Sequence, residues 1–187
     1  ADGRHTINAR AYNFSDTVGM DTRAVTIDQS AAGFLETFST NGPDQAGWDV
    51  TQWQLTARDH TGVDGSQAIY GEAVARFSTV TKAASVAINL GARPTLSYWR
   101  MLDLLGANLI ASARFQVIIN DGVDHVVDEA SVGFGFYAET DWTARAQIDL
   151  SAYANRQVTL KLAVTVTDLG SLLSHAQAWV DDIYIGN

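Results

Sequence analysis

Along most of this 187-residue chain, hydrophobic and polar positions alternate with a period of two, in short runs broken by clusters of Gly, Asn, Asp and Ser. Successive side chains of an extended segment point to opposite faces, so each run predicts a strand with one dry face and one wet face. The runs fall at 24–28, 34–38, 52–57, 68–77, 84–90, 95–101, 113–120, 143–148, 157–167 and 178–185, and the cleanest alternation is at 114–119 and 158–166. Residues 102–110 fit either one helical turn or an extension of the preceding strand. Turn chemistry separates the runs at Asn41-Gly42-Pro43, Asp64-Gly65-Ser66 and Asn120-Asp121-Gly122, where residues that tolerate positive φ or nucleate turns are grouped. This pattern predicts an all-β chain, a two-sheet antiparallel β-sandwich. The first 22 residues are weakly patterned and are expected to form an arm or an inter-domain link, leaving 23–187 as a single domain.

Two carboxylates interrupt the alternation. In 178–185, strict alternation puts Trp179, Asp181, Ile183 and Ile185 on one face, and in 34–38 it puts Glu36 between Phe34 and Phe38. A buried carboxylate without a partner costs several kcal/mol, and no Lys or Arg lies within two residues of either one. A hard cation such as calcium, which takes oxygen ligands, answers that need. The alternative is that each carboxylate accepts hydrogen bonds from turn amides or pairs with a distant Arg. Asp182 points away from Asp181 by alternation, unless a bulge turns both toward one ion.

Composition narrows the partners. With 47% hydrophobic residues the chain is long enough for one buried core. The absence of Cys excludes a disulfide scaffold and a thiol nucleophile, and His5, His60, His125 and His175 lack the spacing of a zinc site. A net charge of -9, from 21 acidic and 12 basic residues, argues against a nucleic acid or an anionic membrane as partner. No apolar run reaches the roughly 18 residues of a membrane span, and the start Ala1-Asp2-Gly3 carries no signal-peptide pattern, so the chain is expected to be mature or excised.

The order of landmarks adds a family likeness. An aromatic-Glu-aromatic start is followed by Gly47-Trp48, Gly65-Ser66-Gln67-Ala68, Leu96-Ser97-Tyr98-Trp99-Arg100, Phe115-Gln116-Val117, Trp142, Leu150-Ser151-Ala152-Tyr153 and a final Val180-Asp181-Asp182-Ile183. Over residues 30–187 this order resembles bacterial cleaved-adhesin domains, MAM-like domains and calcium-containing jelly-roll carbohydrate-binding modules. The resemblance implies a structural calcium near an early acidic residue, a Gly-Ser turn and a terminal Asp pair. The matching positions are Glu36, the 64–67 turn with Asp64 and Ser66, and Asp181 and Asp182. It also implies a secreted or cell-surface bacterial protein that binds polysaccharide without catalysis, as part of a larger multidomain enzyme acting on polysaccharide.

Two surfaces are candidates for sugar. Tyr137 and Trp142 lie in the Gly-rich stretch 133–142, which reads as an exposed aromatic loop, whereas Trp48, Trp53 and Trp179 read as core. Opposite the apolar positions of their strands stand Gln54, Arg58, Tyr98, Arg100, Arg114, Gln116 and Lys161. On neighbouring strands they would form a basic, amide-rich stripe, suited to an acidic polysaccharide because Arg binds carboxylates bidentately. An adhesin or protein-interaction module of the same fold is the alternative. A small lyase or hydrolase comes third: it requires Tyr or a carboxylate pair with Arg in a deep cleft, and no hydrolase, phosphate-loop or dinucleotide motif is present.

Overall fold

The computed structural model describes the backbone of residues 3–12, 18–27, 33–38, 47–62 and 66–186, with side chains from residue 33 onward. The chain forms two compact units, 1–32 and 33–187. In the first, β1 (Gly3–Tyr12) and β2 (Val18–Ile27) pair antiparallel along their whole length, from Gly3 opposite Ile27 to Tyr12 opposite Val18. The strand pair begins in the expected arm and runs past residue 22, so that residues 24–27 of the predicted run lie in β2.

The second unit is the expected sandwich. One sheet has the order β10 (Gly135–Ala138), β7 (Thr95–Gly106), β13 (Ser174–Gly186), β5 (Ala68–Ala75), β4 (Gln54–Thr56), with β11 (Thr143–Asp149) also on β7 and β3 (Phe34–Glu36) also on β13. The facing sheet runs β6 (Ser78–Asn89), β12 (Gln157–Asp168), β8 (Ala111–Asn120), β9 (Asp124–Val132). All pairings are antiparallel. Residues 102–106 extend β7, and most of the stretch expected as a loop at 133–142 is β10 and the start of its connection to β11. The strand β9 escaped the pattern because a register shift opposite Val117 and Ile118 breaks its alternation.

The core lies between the sheets, where Ile69, Leu96, Leu102, Phe115, Leu160, Leu162, Val164 and Ile183 are all essentially inaccessible. On β5 the inward set is Ile69, Gly71, Ala73 and Ala75, and the last three are small residues that leave room for large neighbours. Trp53 uses that room: a Cβ on Gly71 would sit 2.2 Å from its Cε2 atom. Trp48 and Trp53 are core, as expected. Trp179 is not. Asp182 has φ of 44°, and at this point the register of β13 against β7 shifts between Asp181 and Tyr184. The bulge reverses the strand's facing. Ile183 and Ile185 point into the core, whereas Trp179 and Asp181, opposite Met101 and Trp99, belong to the outer face.

Candidate functional site

The outer face of the seven-stranded sheet is built in rows by strand register. One row sets Met101, Trp179, Tyr70 and Gln54 side by side, and the next sets Ala138, Asp103, Gln177 and Glu72. The Tyr70 and Trp179 rings lie 4.8 Å apart, and the Gln177 side-chain amide donates to Glu72 at 2.7 Å. Burial, followed by the charge and hydrogen bonding of Glu72, pushes the Tyr70 phenol up to about 12, so it remains a hydroxyl donor at neutral pH.

At the open edge of this face, where β4 stops after three residues, Tyr70 and Glu72 border a pocket of about 270 Å³. Thr51, Gln52, Trp53, Gln54 and Lys82 complete its lining. The segment before β4 is held over β6 by backbone hydrogen bonds between Asp49 and Ser85, and by the Ala83 N–H donating to Gln52 Oε1 at 2.9 Å. That last bond leaves the Gln52 amide nitrogen as a donor for the pocket. One carboxylate, one ammonium, two amides and two hydroxyl-bearing residues thus converge on a hollow with Trp53 in its wall. Hydroxyl groups both donate and accept, so this mixed lining suits a polyhydroxylated ligand better than a simple ion.

A strap from residues 57 to 62 covers the far end of the same face. The guanidinium of Arg58 stands 4.8 Å from the Trp179 ring centroid, and the His60 ring stacks on Trp99 at 4.7 Å with an interplanar angle of 11°. Trp142 meets the His60 ring edge-on at 6.3 Å. Asp181 is fully buried beneath this strap: the His60 N–H donates to its Oδ2 at 3.2 Å, His60 Nδ1 lies 3.1 Å from the same oxygen, and the Asp182 N–H donates to Oδ1 at 2.8 Å. Asp182 stays partly exposed, and burial, then the Asp181 charge, raises its pKa above the ordinary carboxylate value.

Of the residues expected around calcium, Asp181 and Asp182 come together. Among the described residues, His60, Asp181 and Asp182 bring possible ligand atoms within 4.8 Å of one another, without Glu36. Glu36 pairs in register with Ile183 beyond the bulge, is buried, and accepts the Phe38 N–H at 2.8 Å. Ser66 is half-buried two residues before β5, and Asp64 lies outside the described residues. An imidazole with two carboxylates, one already holding N–H donors on both oxygens, is not the all-oxygen cage that calcium takes.

The expected basic stripe divides among three places. Arg114 and Gln116 share the outer face of the four-stranded sheet with Lys161, but Gln116 bonds Glu129 at 2.6 Å and Lys161 bonds Asp124 at 2.7 Å. Arg58 lies on the other sheet, in the strap. Tyr98 and Arg100 point inward, 2% and 5% exposed, contrary to the sequence expectation. Because Leu96, Leu102 and Leu104 share their parity, the inner face of β7 carries a polar pair in mid-strand.

That pair is satisfied by an ion cluster. Tyr98 donates to Asp128 Oδ2 at 2.5 Å, and Arg145 grips Asp128 with two bonds of 2.8 and 2.7 Å. Arg100 reaches Asp128 at 3.4 Å and Glu139 at 3.1 Å, and Tyr137 also donates to Glu139. Burial and the Asp128 carboxylate push the Tyr98 phenol strongly up, the opposite of what a lyase base needs. The residues that do line the pocket, Tyr70, Glu72 and Lys82, were missed. The alternation in 68–75 held the signal, since small residues on one face leave Tyr70 and Glu72 together on the other.

No protein-family model and no curated sequence matches this chain. Solved structures of similar fold include family 22 carbohydrate-binding and catalytic modules of a Clostridium thermocellum endo-1,4-β-D-xylanase with xylohexaose. That match has 17% identity and a TM-score of 0.45, over 82% of this chain and 28% of that one. A promiscuous carbohydrate-binding module of the β-sandwich superfamily matches at 10% identity and a TM-score of 0.44, over 98% and 74%. The K1 cleaved adhesin domain of Lys-gingipain from Porphyromonas gingivalis matches at 16% identity and a TM-score of 0.41, over 83% and 99%.

Proposed function

We propose that this chain is a carbohydrate-binding module that seats one or two sugar rings in the pocket at the edge of β5 and carries the rest of the chain across the outer face of the seven-stranded sheet. The observation that carries this reading is the pocket's lining: Glu72, Lys82, Gln52, Gln54, Thr51 and Tyr70 around about 270 Å³, which is just below the roughly 300–1,000 Å³ of small-molecule clefts. Beyond Glu72, the row continues with Gln177 and Asp103, further partners for hydroxyl groups. Two carboxylates on that path, against Lys82 alone in the pocket, favour a neutral polysaccharide over the acidic type expected from the sequence. Attachment to an extracellular bacterial enzyme acting on the same polysaccharide belongs to this proposal and rests on the sequence resemblance. Such a module raises the local concentration of its enzyme on substrate through individually weak contacts.

Affinity electrophoresis through gels of xylan, β-glucan, galactan, alginate and pectin tests it. Retardation in a neutral polysaccharide is expected, weakened about tenfold by Tyr70→Ala, Glu72→Gln or Lys82→Ala, with melting nearly unchanged. Unaltered mobility in every gel would overturn the reading. Retardation that all three variants leave intact would move the site elsewhere.

A further inference from the structure

The loops at one end of the sandwich carry an apolar tip. Residues 76–77, 107–110, 133–134 and 169–173 all connect strands there, as the pairings Ala75 with Ser174, Ser78 with Asp168, Asp168 with Ala111 and Gly106 with Gly135 show. From them Phe77, Leu109, Ile110, Phe134, Leu172 and Leu173 project into solvent, Leu109 at 84% exposure and Phe134 at 65%. With their apolar neighbours these side chains offer on the order of 800 Å², above the roughly 300–600 Å² of a monomer's largest apolar patch and equal to one side of a standard interface.

The tip is rigidly built. Asp168, fully buried, accepts the Asn108 side-chain amide at 2.6 Å, the Gly170 N–H at 2.7 Å and the Ser174 hydroxyl, and Ser174 Oγ accepts the Ala107 N–H at 2.9 Å. One carboxylate therefore pins the two Leu-bearing loops to each other. Side chains held in place before contact lose less entropy on association, as a protein interface requires. Charge is also segregated from the tip. Although the chain carries 21 acidic residues, the sole charged residue in these four loops is Arg76, whose guanidinium lies 5.3 Å from the Phe77 ring centroid.

We propose that the tip is an isologous interface with a second copy of this chain. A protein of net charge -9 repels its own copies through most of its surface, and here two copies meet without opposing carboxylates. A lone Arg supplies little attraction to an anionic bilayer, so the area and the preorganised loops favour a protein face over a lipid surface. The inference is independent of the sugar reading; joined to it, a dimer presents two pockets and gains avidity on a repeating polymer.

Sedimentation velocity of the full chain from about 1 to 100 μM tests the proposal. A dimer is expected, converted to monomer by Leu109→Asp with Leu172→Asp while circular dichroism and melting stay unchanged, since both side chains are exposed. A wild type that remains monomeric at 100 μM would overturn the proposal, as would a dimer that survives the double substitution. Co-sedimentation of the monomer with phosphatidylcholine vesicles, lost in the same variant, would assign the tip to lipid instead.

Discussion

Asp128 shows how one residue can be both costly and stabilising. Burial alone would raise its pKa, but the hydrogen bonds from Arg145 and Tyr98 and the charges of Arg145 and Arg100 outweigh burial and hold it below the ordinary carboxylate value. A folded-state pKa below the unfolded one means that the stabilisation is present above the ordinary carboxylate range and is lost as pH falls through the lowered value. Asp128→Asn should therefore cost about 1–2 kcal/mol at pH 7, discounted for the half-exposed Arg145 partner, and the gap in melting temperature from wild type should close toward pH 2. A gap that is constant from pH 7 to pH 2 would show that the cluster does not bear the acid sensitivity. Sequence reasoning placed Tyr98 and Arg100 on a wet face because polar side chains usually lie there. Only the partners supplied by β9, β11 and the segment after β10 make their inward position affordable.

At the level of single strands, β5 and β13 set the geometry of the pocket and its face. Gly71 exists for Trp53: the missing Cβ lets the indole lie against the backbone of β5, which in turn forms the wall beneath Tyr70 and Glu72. Gly71→Ala should destabilise the fold by about 1–3 kcal/mol, the usual cost of overpacking, and should weaken sugar retention by displacing Trp53. Denaturant titration with unchanged m-value and a lowered midpoint would bear this out, and an unchanged midpoint would contradict the packing argument. The alternation of β5 was legible in 68–77. The facing of Trp179 was not, because one positive-φ residue, Asp182, reverses the parity of β13 partway along its length, and nothing in the local sequence distinguishes that bulge from continued alternation.

For the molecule as a whole, the calcium expectation has a direct consequence. Because Glu36 and Asp181 already accept N–H donors, melting in millimolar calcium and in chelator should coincide; a rise of several degrees in calcium, with metal found by elemental analysis, would show that further oxygen ligands complete a site. The all-β class, most strands of the sandwich and the buried Trp53 follow from period-two alternation, which is a property of neighbouring residues and survives without knowledge of strand order, whereas the buried Trp48 was implied by the family resemblance. What brings Glu72 beside Gln177, sends Arg58 to the strap, Arg100 to the interior and Arg114 to the opposite sheet, folds His60 onto Asp181 and gathers four apolar loops at one end is pairing between segments far apart in the chain. Those juxtapositions are decided by register, bulges and sheet order, which no local pattern encodes, and so the site and the tip became visible only in the folded molecule.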